Sequence, residues 1–154
     1  MIQVGDVAPD FTLHDQNNEE FVLSSYRGNP DGKAVLIVFY PLAFTGICTG
    51  ELGVVNVHID DFQNDSVQTV SISVDSVFSH KIFAEREGFE FPLLADFWPH
   101  GEVAQTYGVF NDATGFANRG TFLVDSDGIV RFAEMNQPGD GRDANTWLAA
   151  ISAL

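Results

Sequence analysis

The chain carries one cysteine, Cys48, in the stretch Tyr40-Pro41-Leu42-Ala43-Phe44-Thr45-Gly46-Ile47-Cys48-Thr49-Gly50-Glu51. The apolar run from Ala34 to Tyr40 reads as a strand that stops at Pro41, and a helical pattern begins close to Cys48. The thiol is therefore expected where a strand hands over to a helix N-terminus. The first N–H groups of a helix are unpaired and partly positive, a field that favours a thiolate. The alternative is a buried packing cysteine. The neighbours favour chemistry. Thr45, three residues before Cys48, falls on the same side of a helical first turn, where its hydroxyl can donate to a thiolate or serve only as an N-cap. Pro41 supplies no donor N–H and can shield the sulfur from water or simply end the strand. Glu51 sits in the first turn, where a carboxylate complements the helix dipole and ties polar groups together, but would oppose a thiolate if it faced the sulfur. A thiolate in so acidic a chain needs a cation. Of the five arginines, Arg119, next to Gly120 and just before the strand signal Thr121 to Val124, is the one expected near the site; otherwise it is an ordinary surface charge.

Other chemistries are missing their residues. Positions 45 and 51 are Thr and Glu, so there is no Cys-x-x-Cys, and any second sulfur must come from another molecule. His14, His58, His80 and His100 are dispersed without ligand spacing, so no metal centre is expected. No G-x-S-x-G elbow, P-loop or dinucleotide fingerprint occurs, and no cofactor is expected. A Cys-His hydrolase stays formally open, although nothing marks a particular histidine. Seven basic residues against 22 acidic ones leave a net charge of −15, which disfavours nucleic acid and anionic membranes as partners. The N-terminus lacks a signal-peptide pattern and no apolar run is long enough to span a bilayer, so a cytoplasmic location is expected.

The elements that must position these residues follow from periodicity. Strands are expected near Phe11 to Leu13, Phe21 to Leu23, Ala34 to Tyr40, Val67 to Val74, Thr121 to Val124 and Ile129 to Met135. The first two form an N-terminal hairpin, and Asp125-Ser126-Asp127-Gly128 turns the last two. Leu52, Val55, Ile59 and Phe62 share a helical face, as do Val77, Ile82 and Phe83 less strictly. Trp147, Leu148 and Ile151 mark a C-terminal helix after an irregular segment from Asn136 to Arg142. Asn64-Asp65-Ser66 reads as a polar turn closing the helix before it. The fold class is α/β, in one domain over residues 1–154.

At Pro41-x-x-x-Thr45-x-x-Cys48 the chain resembles the peroxiredoxins. The opening Val4-Gly5-Asp6-Val7-Ala8-Pro9-Asp10-Phe11-Thr12-Leu13, the segment Phe91-Pro92-Leu93-Leu94-Ala95-Asp96 and the segment Arg119-Gly120-Thr121-Phe122-Leu123-Val124-Asp125 extend the likeness across nearly the whole chain. Pro41 to Glu51 and Asp96-Phe97-Trp98-Pro99-His100-Gly101 resemble the one-cysteine alkyl hydroperoxide reductase E type of actinobacteria. The resemblance implies a thioredoxin-like fold, a central mixed sheet flanked by helices. It implies that Cys48 is the peroxidatic cysteine, with Pro41, Thr45 and Arg119 completing the site. Substrates would be hydrogen peroxide, organic hydroperoxides or peroxynitrite, and Cys48 would pass through a sulfenic acid. Reduction would come from a low-molecular-weight thiol such as mycothiol or from a small redoxin. A homodimer is implied, and Phe44, Phe78, Trp98 and Phe110 could line the site entrance, a subunit contact or the core. A redox relay that passes oxidation of Cys48 to a partner protein, and a binding module with an inert cysteine, are the competing readings.

Overall fold

The computed structural model describes residues 1–28 and 31–154. β1 (Thr12–His14) and β2 (Glu20–Val22) form the expected N-terminal hairpin, with Leu13 opposite Phe21. The Asp15 carboxylate closes its turn by accepting from the N–H groups of Asn17 and Glu19. Then come β3 (Ala34–Phe39), α1 (Gly46–Val57), the one-turn α2 (Ile59–Phe62), β4 (Val67–Ser73) and α3 (Val77–Glu87). They are followed by β5 (Leu93–Ala95), α4 (Glu102–Tyr107), β6 (Phe110–Asn111), β7 (Phe116–Ala117), β8 (Arg119–Val124), β9 (Val130–Asn136) and α5 (Ala144–Ser152).

The central sheet has the order β5-β4-β3-β8-β9. β3, β4 and β5 run parallel, while β8 is antiparallel to both β3 and β9. This is the mixed sheet with flanking helices that the thioredoxin-like reading predicts. β3 lies at its centre, which explains why its sequence is apolar without alternation. Successive side chains point to opposite faces. Val35, Ile37 and Phe39 enter one core with Phe11, Tyr107 and Phe122. Leu36, Val38 and Tyr40 enter the other with Cys48, Leu52, Phe83 and Trp147. The second core, beneath α1, α3 and α5, is the one that carries the thiol.

Local chemistry sets the helix ends. Ser76 caps α3 by accepting from the Ser79 N–H, Gly88 at φ +71 stops it, and Asp143 caps α5 by accepting from Asn145. The face shared by Leu52, Val55, Ile59 and Phe62 is divided between two helices, because the backbone of His58 leaves helical geometry. Asn64 makes the turn that follows, donating to the Asp60 carbonyl and accepting from Ser66 and Val67. In the β8–β9 turn the Asp125 carboxylate accepts from Asp127 and Ile129. β8 starts at Arg119 rather than at Thr121, so the arginine belongs to the strand itself.

Candidate active site

Pro41 follows the C-terminal end of β3, and Arg119 opens β8. The two strands pair antiparallel, with Val38 opposite Thr121, so the exit of one meets the entry of the other. Pro41, Thr45 and Arg119 accordingly line one cavity of about 310 Å³, together with Leu42, Gly46, Ile47, Phe116 and Pro138. Cys48 is the third residue of α1, as the strand-to-helix reading predicts, but its side chain has 0% exposure and lies in the core behind the cavity. The structure thus brings three of the four predicted residues onto one surface and leaves Cys48, one helical turn along the chain from Thr45, buried in the core.

Neither predicted donor hydrogen-bonds the sulfur. Thr45 occupies the N-cap position without capping through its side chain; its hydroxyl donates to the Leu42 carbonyl at 2.8 Å. Its own carbonyl accepts from the Thr49 N–H and hydroxyl. Arg119 donates from Nε to the Pro138 carbonyl at 2.8 Å and from Nη1 to Glu51 Oε1 at 2.5 Å. These bonds fix the guanidinium plane and leave Nη2 uncommitted among the described residues. A planar fork held by two bonds presents its remaining donors in a set direction, which suits an anion or a developing oxyanion.

Glu51 does not face the thiol. Its carboxylate is turned to two arginines, Arg119 and Arg142. Arg142 donates to Glu51 through its backbone N–H at 2.8 Å, Nε at 2.9 Å and Nη2 at 2.9 Å. Burial pushes the Glu51 carboxyl up, but the hydrogen bonds and charge of Arg142, with the charge of Arg119, outweigh it and hold the group below its ordinary range. Arg142 also donates to the Gly120 carbonyl and the Thr121 hydroxyl, and its guanidinium lies 5.4 Å from the centre of the Trp147 ring. Arg142 is the residue that the sequence reading missed. Its only signal is an arginine at the end of the Gly- and Pro-rich segment before α5, close enough in the fold to complete a clamp whose other members are distant in sequence.

The loop leading to Thr45 passes through Phe44 at φ +69, a left-handed conformation that L side chains rarely adopt. The ring packs against Phe83, with the Arg86 guanidinium 5.3 Å from its centre. Phe44, Phe78, Trp98 and Phe110 are absent from the cavity wall; the apolar lining is Leu42, Ile47, Phe116 and Pro138. Phe78 and Trp98 are each 82% exposed, and Phe110 packs half-buried against His100. Among the described residues, no cluster of His, Cys, Asp or Glu side chains is arranged to hold a metal ion, and no helix is long and apolar enough to cross a membrane.

Comparison with known proteins identifies the family. The model of the AhpC/TSA family matches residues 4–133. Alkyl hydroperoxide reductase E of Mycobacterium tuberculosis is 56% identical over 154 residues, covering 100% of this chain and 99% of the relative. The chain is a peroxiredoxin of the alkyl hydroperoxide reductase E type. The selenocysteine-containing peroxiredoxin PrxU of Peptoclostridium acidaminophilum is 37% identical over 164 residues, spanning 100% of this chain and 78% of the relative. Among solved structures, peroxidoxin BcpB from Mycobacterium tuberculosis superimposes with a TM-score of 0.86 at 32% identity, covering 100% of this chain and 99% of that one. AhpC of Enterococcus faecalis does so with a TM-score of 0.87 at 31% identity, covering 99% and 92%. This peroxiredoxin is accordingly an enzyme, a thiol peroxidase on a thioredoxin-like fold.

Proposed function

We propose that this chain, acting as one domain over residues 1–154, reduces hydrogen peroxide, organic hydroperoxides or peroxynitrite by a one-cysteine mechanism. The observation that carries the reading is the convergence of Pro41, Thr45 and Arg119 on a single cavity, with Cys48 one turn behind it in α1. The Cys48 thiolate attacks the terminal peroxide oxygen; an S–O bond forms, the O–O bond breaks, and the other oxygen leaves as an alcohol or water after taking a proton, or as nitrite when the substrate is peroxynitrite. Arg119 and the Thr45 hydroxyl hold the two oxygens as negative charge moves from sulfur to the leaving oxygen. The apolar lining beside these polar groups is suited to an organic substituent.

The chain has no second cysteine, so the sulfenic acid is reduced from outside. A low-molecular-weight thiol such as mycothiol, or the thiol of a small redoxin, attacks the sulfenic sulfur, releases water and leaves a mixed disulfide that a further thiol resolves. Such chemistry belongs in the cytoplasm, where thiols are kept reduced. The protein works as a homodimer: Phe78, Phe97 and Trp98 are exposed around one surface hollow, an apolar patch that a second copy would cover.

Rapid-quench mass spectrometry of the reduced protein mixed with one equivalent of peroxide, in the presence of a sulfenic-acid trap, tests the reading. Trapped Cys48 formed orders of magnitude faster than with a free thiol supports it. Oxidation at free-thiol speed with every peroxide class would overturn it, and a stable mixed disulfide with one protein in place of turnover would mark a relay.

A further inference from the structure

Ala43 lies between Pro41 and Thr45, and its N–H donates to Asp75 Oδ2 at 2.8 Å. The same carboxylate oxygen accepts from the Ser73 hydroxyl at 2.6 Å. Ser73 has one proton and an ionised carboxylate only accepts, so Ser73 Oγ accepts in turn from His80 Nε2, 2.7 Å away. His80 Nδ1 is buried without a hydrogen-bond partner. The Tyr40 hydroxyl lies 3.0 Å from that Nε2. Tyr40, Ser73 and His80 are each at most 1% exposed, and none of them touches the cavity. A buried chain of hydrogen bonds therefore runs from α3, across the end of β4, to the backbone of the loop that carries Thr45.

That loop needs holding. Phe44 is kept at φ +69 between Ala43, whose N–H is tied to Asp75, and Thr45, whose hydroxyl is tied back to Leu42. A phenylalanine persists in that conformation only when its surroundings determine it. Burial pushes the His80 pKa down to about 4, against the opposing charge of Asp75, so the imidazole keeps the Nε2 donor of its neutral form near neutral pH.

We propose that Asp75, oriented by Ser73 and His80, is a positioning residue for peroxide reduction. Its carboxylate sets the Pro41–Thr45 loop, and with it the Thr45 hydroxyl, against the incoming peroxide. The proposal rests on the peroxidase reading above. Loss of the relay displaces a group that orients the peroxide but leaves the thiol itself in place.

The test compares two rates at Cys48 in the full-length protein: oxidation by peroxide, which needs the oriented hydroxyl, and alkylation by iodoacetamide, which does not. In His80→Phe and Ser73→Ala the ratio of peroxide to alkylation rate should fall by about ten- to 100-fold, the range expected when a reactive geometry is displaced. His80→Gln, whose amide nitrogen can replace Nε2 as a donor, should restore most of it. Ser73→Ala, a small change, decides the matter if His80→Phe does not fold. An unchanged ratio in Ser73→Ala, or no recovery in His80→Gln relative to a folded His80→Phe, overturns the positioning role while leaving the peroxidase intact. A wild-type peroxide rate no better than that of a free thiol overturns both.

Discussion

Arg119 Nη1 lies 2.5 Å from Glu51 Oε1, and both side chains are almost fully buried. The cation expected to serve the thiol is thus shared with a carboxylate on the same helix as the thiol. Glu51 orients Arg119 at the cost of part of its charge, and Arg142 balances that cost by supplying a second cation to the same carboxylate. Glu51→Gln should leave two buried guanidinium groups without their counter-ion and lower stability by roughly 3 kcal/mol. Urea unfolding at neutral pH measures this; a loss below about 1 kcal/mol would show the clamp to be energetically slack.

The same pair sets an acid limit. Glu51 has a carboxyl pKa below its unfolded value, so its ionisation adds stability that is fully present above the ordinary carboxylate range. That stability disappears as pH falls through the lowered folded-state value. The Glu51→Gln variant should show a shallower acid limb than wild type in a pH series of thermal melts.

His80 acts at higher pH. Its folded pKa of about 4 lies below the unfolded 6.5, so between these values the unfolded chain binds a proton that the folded chain refuses, and stability falls with pH. The loss from this one group between pH 7 and pH 5 should be about 2 kcal/mol, and His80→Gln, which cannot titrate, should lack it. Parallel pH curves for the two proteins over that interval would contradict the prediction.

Cys48→Ser should abolish peroxide turnover while leaving the melting temperature within a few degrees of wild type. The sulfur is fully buried and Ser is close to it in size, so only a modest polar cost is added. Turnover surviving in this variant would exclude Cys48 as the nucleophile.

α1 contains Gly46, Gly50 and Gly53, and a Cβ added at Gly50 or Gly53 meets nothing within 4 Å. Each Gly→Ala change should stabilise the helix by about 0.5–1 kcal/mol. Because Cys48 belongs to the buried face of this helix, a bulky thiol reductant would reach the sulfur only when the first turns open. The double variant should therefore keep its rate with hydrogen peroxide and lose rate with the reductant. Equal slowing of both steps would place the effect elsewhere.

The sequence made the scaffold legible where a single physical cause dominates. β3 is buried on both faces, so its apolar run is unbroken, and the handover that follows it sets Pro41 just past the strand, Thr45 at the helix N-cap and Cys48 in the first turn of α1. β5, α4, β6 and β7 are too short to show a period. The true start of β8 was masked by Gly120, which has no side chain because Val109 packs against its α-carbon, 2.7 Å from where a Cβ would stand. Glu51 was legible as a tie between polar groups, but its partners, Arg119 and Arg142, are brought to it by sheet pairing and by the loop before α5. No local spacing encodes that meeting. The meeting of Tyr40 with His80 was hidden for the same reason, whereas the Thr45 hydroxyl is taken locally, by the Leu42 carbonyl three residues back.

The seat of Arg142 over Trp147 gives the protein a light source inside its own site. Trp147 is 1% exposed and its ring lies beneath the guanidinium that grips Glu51, whereas Trp98, the other indole, is 82% exposed. Iodide can silence the emission of Trp98 in solvent without reaching Trp147. What then remains is an optical record of the clamp alone, in the unlabelled native chain.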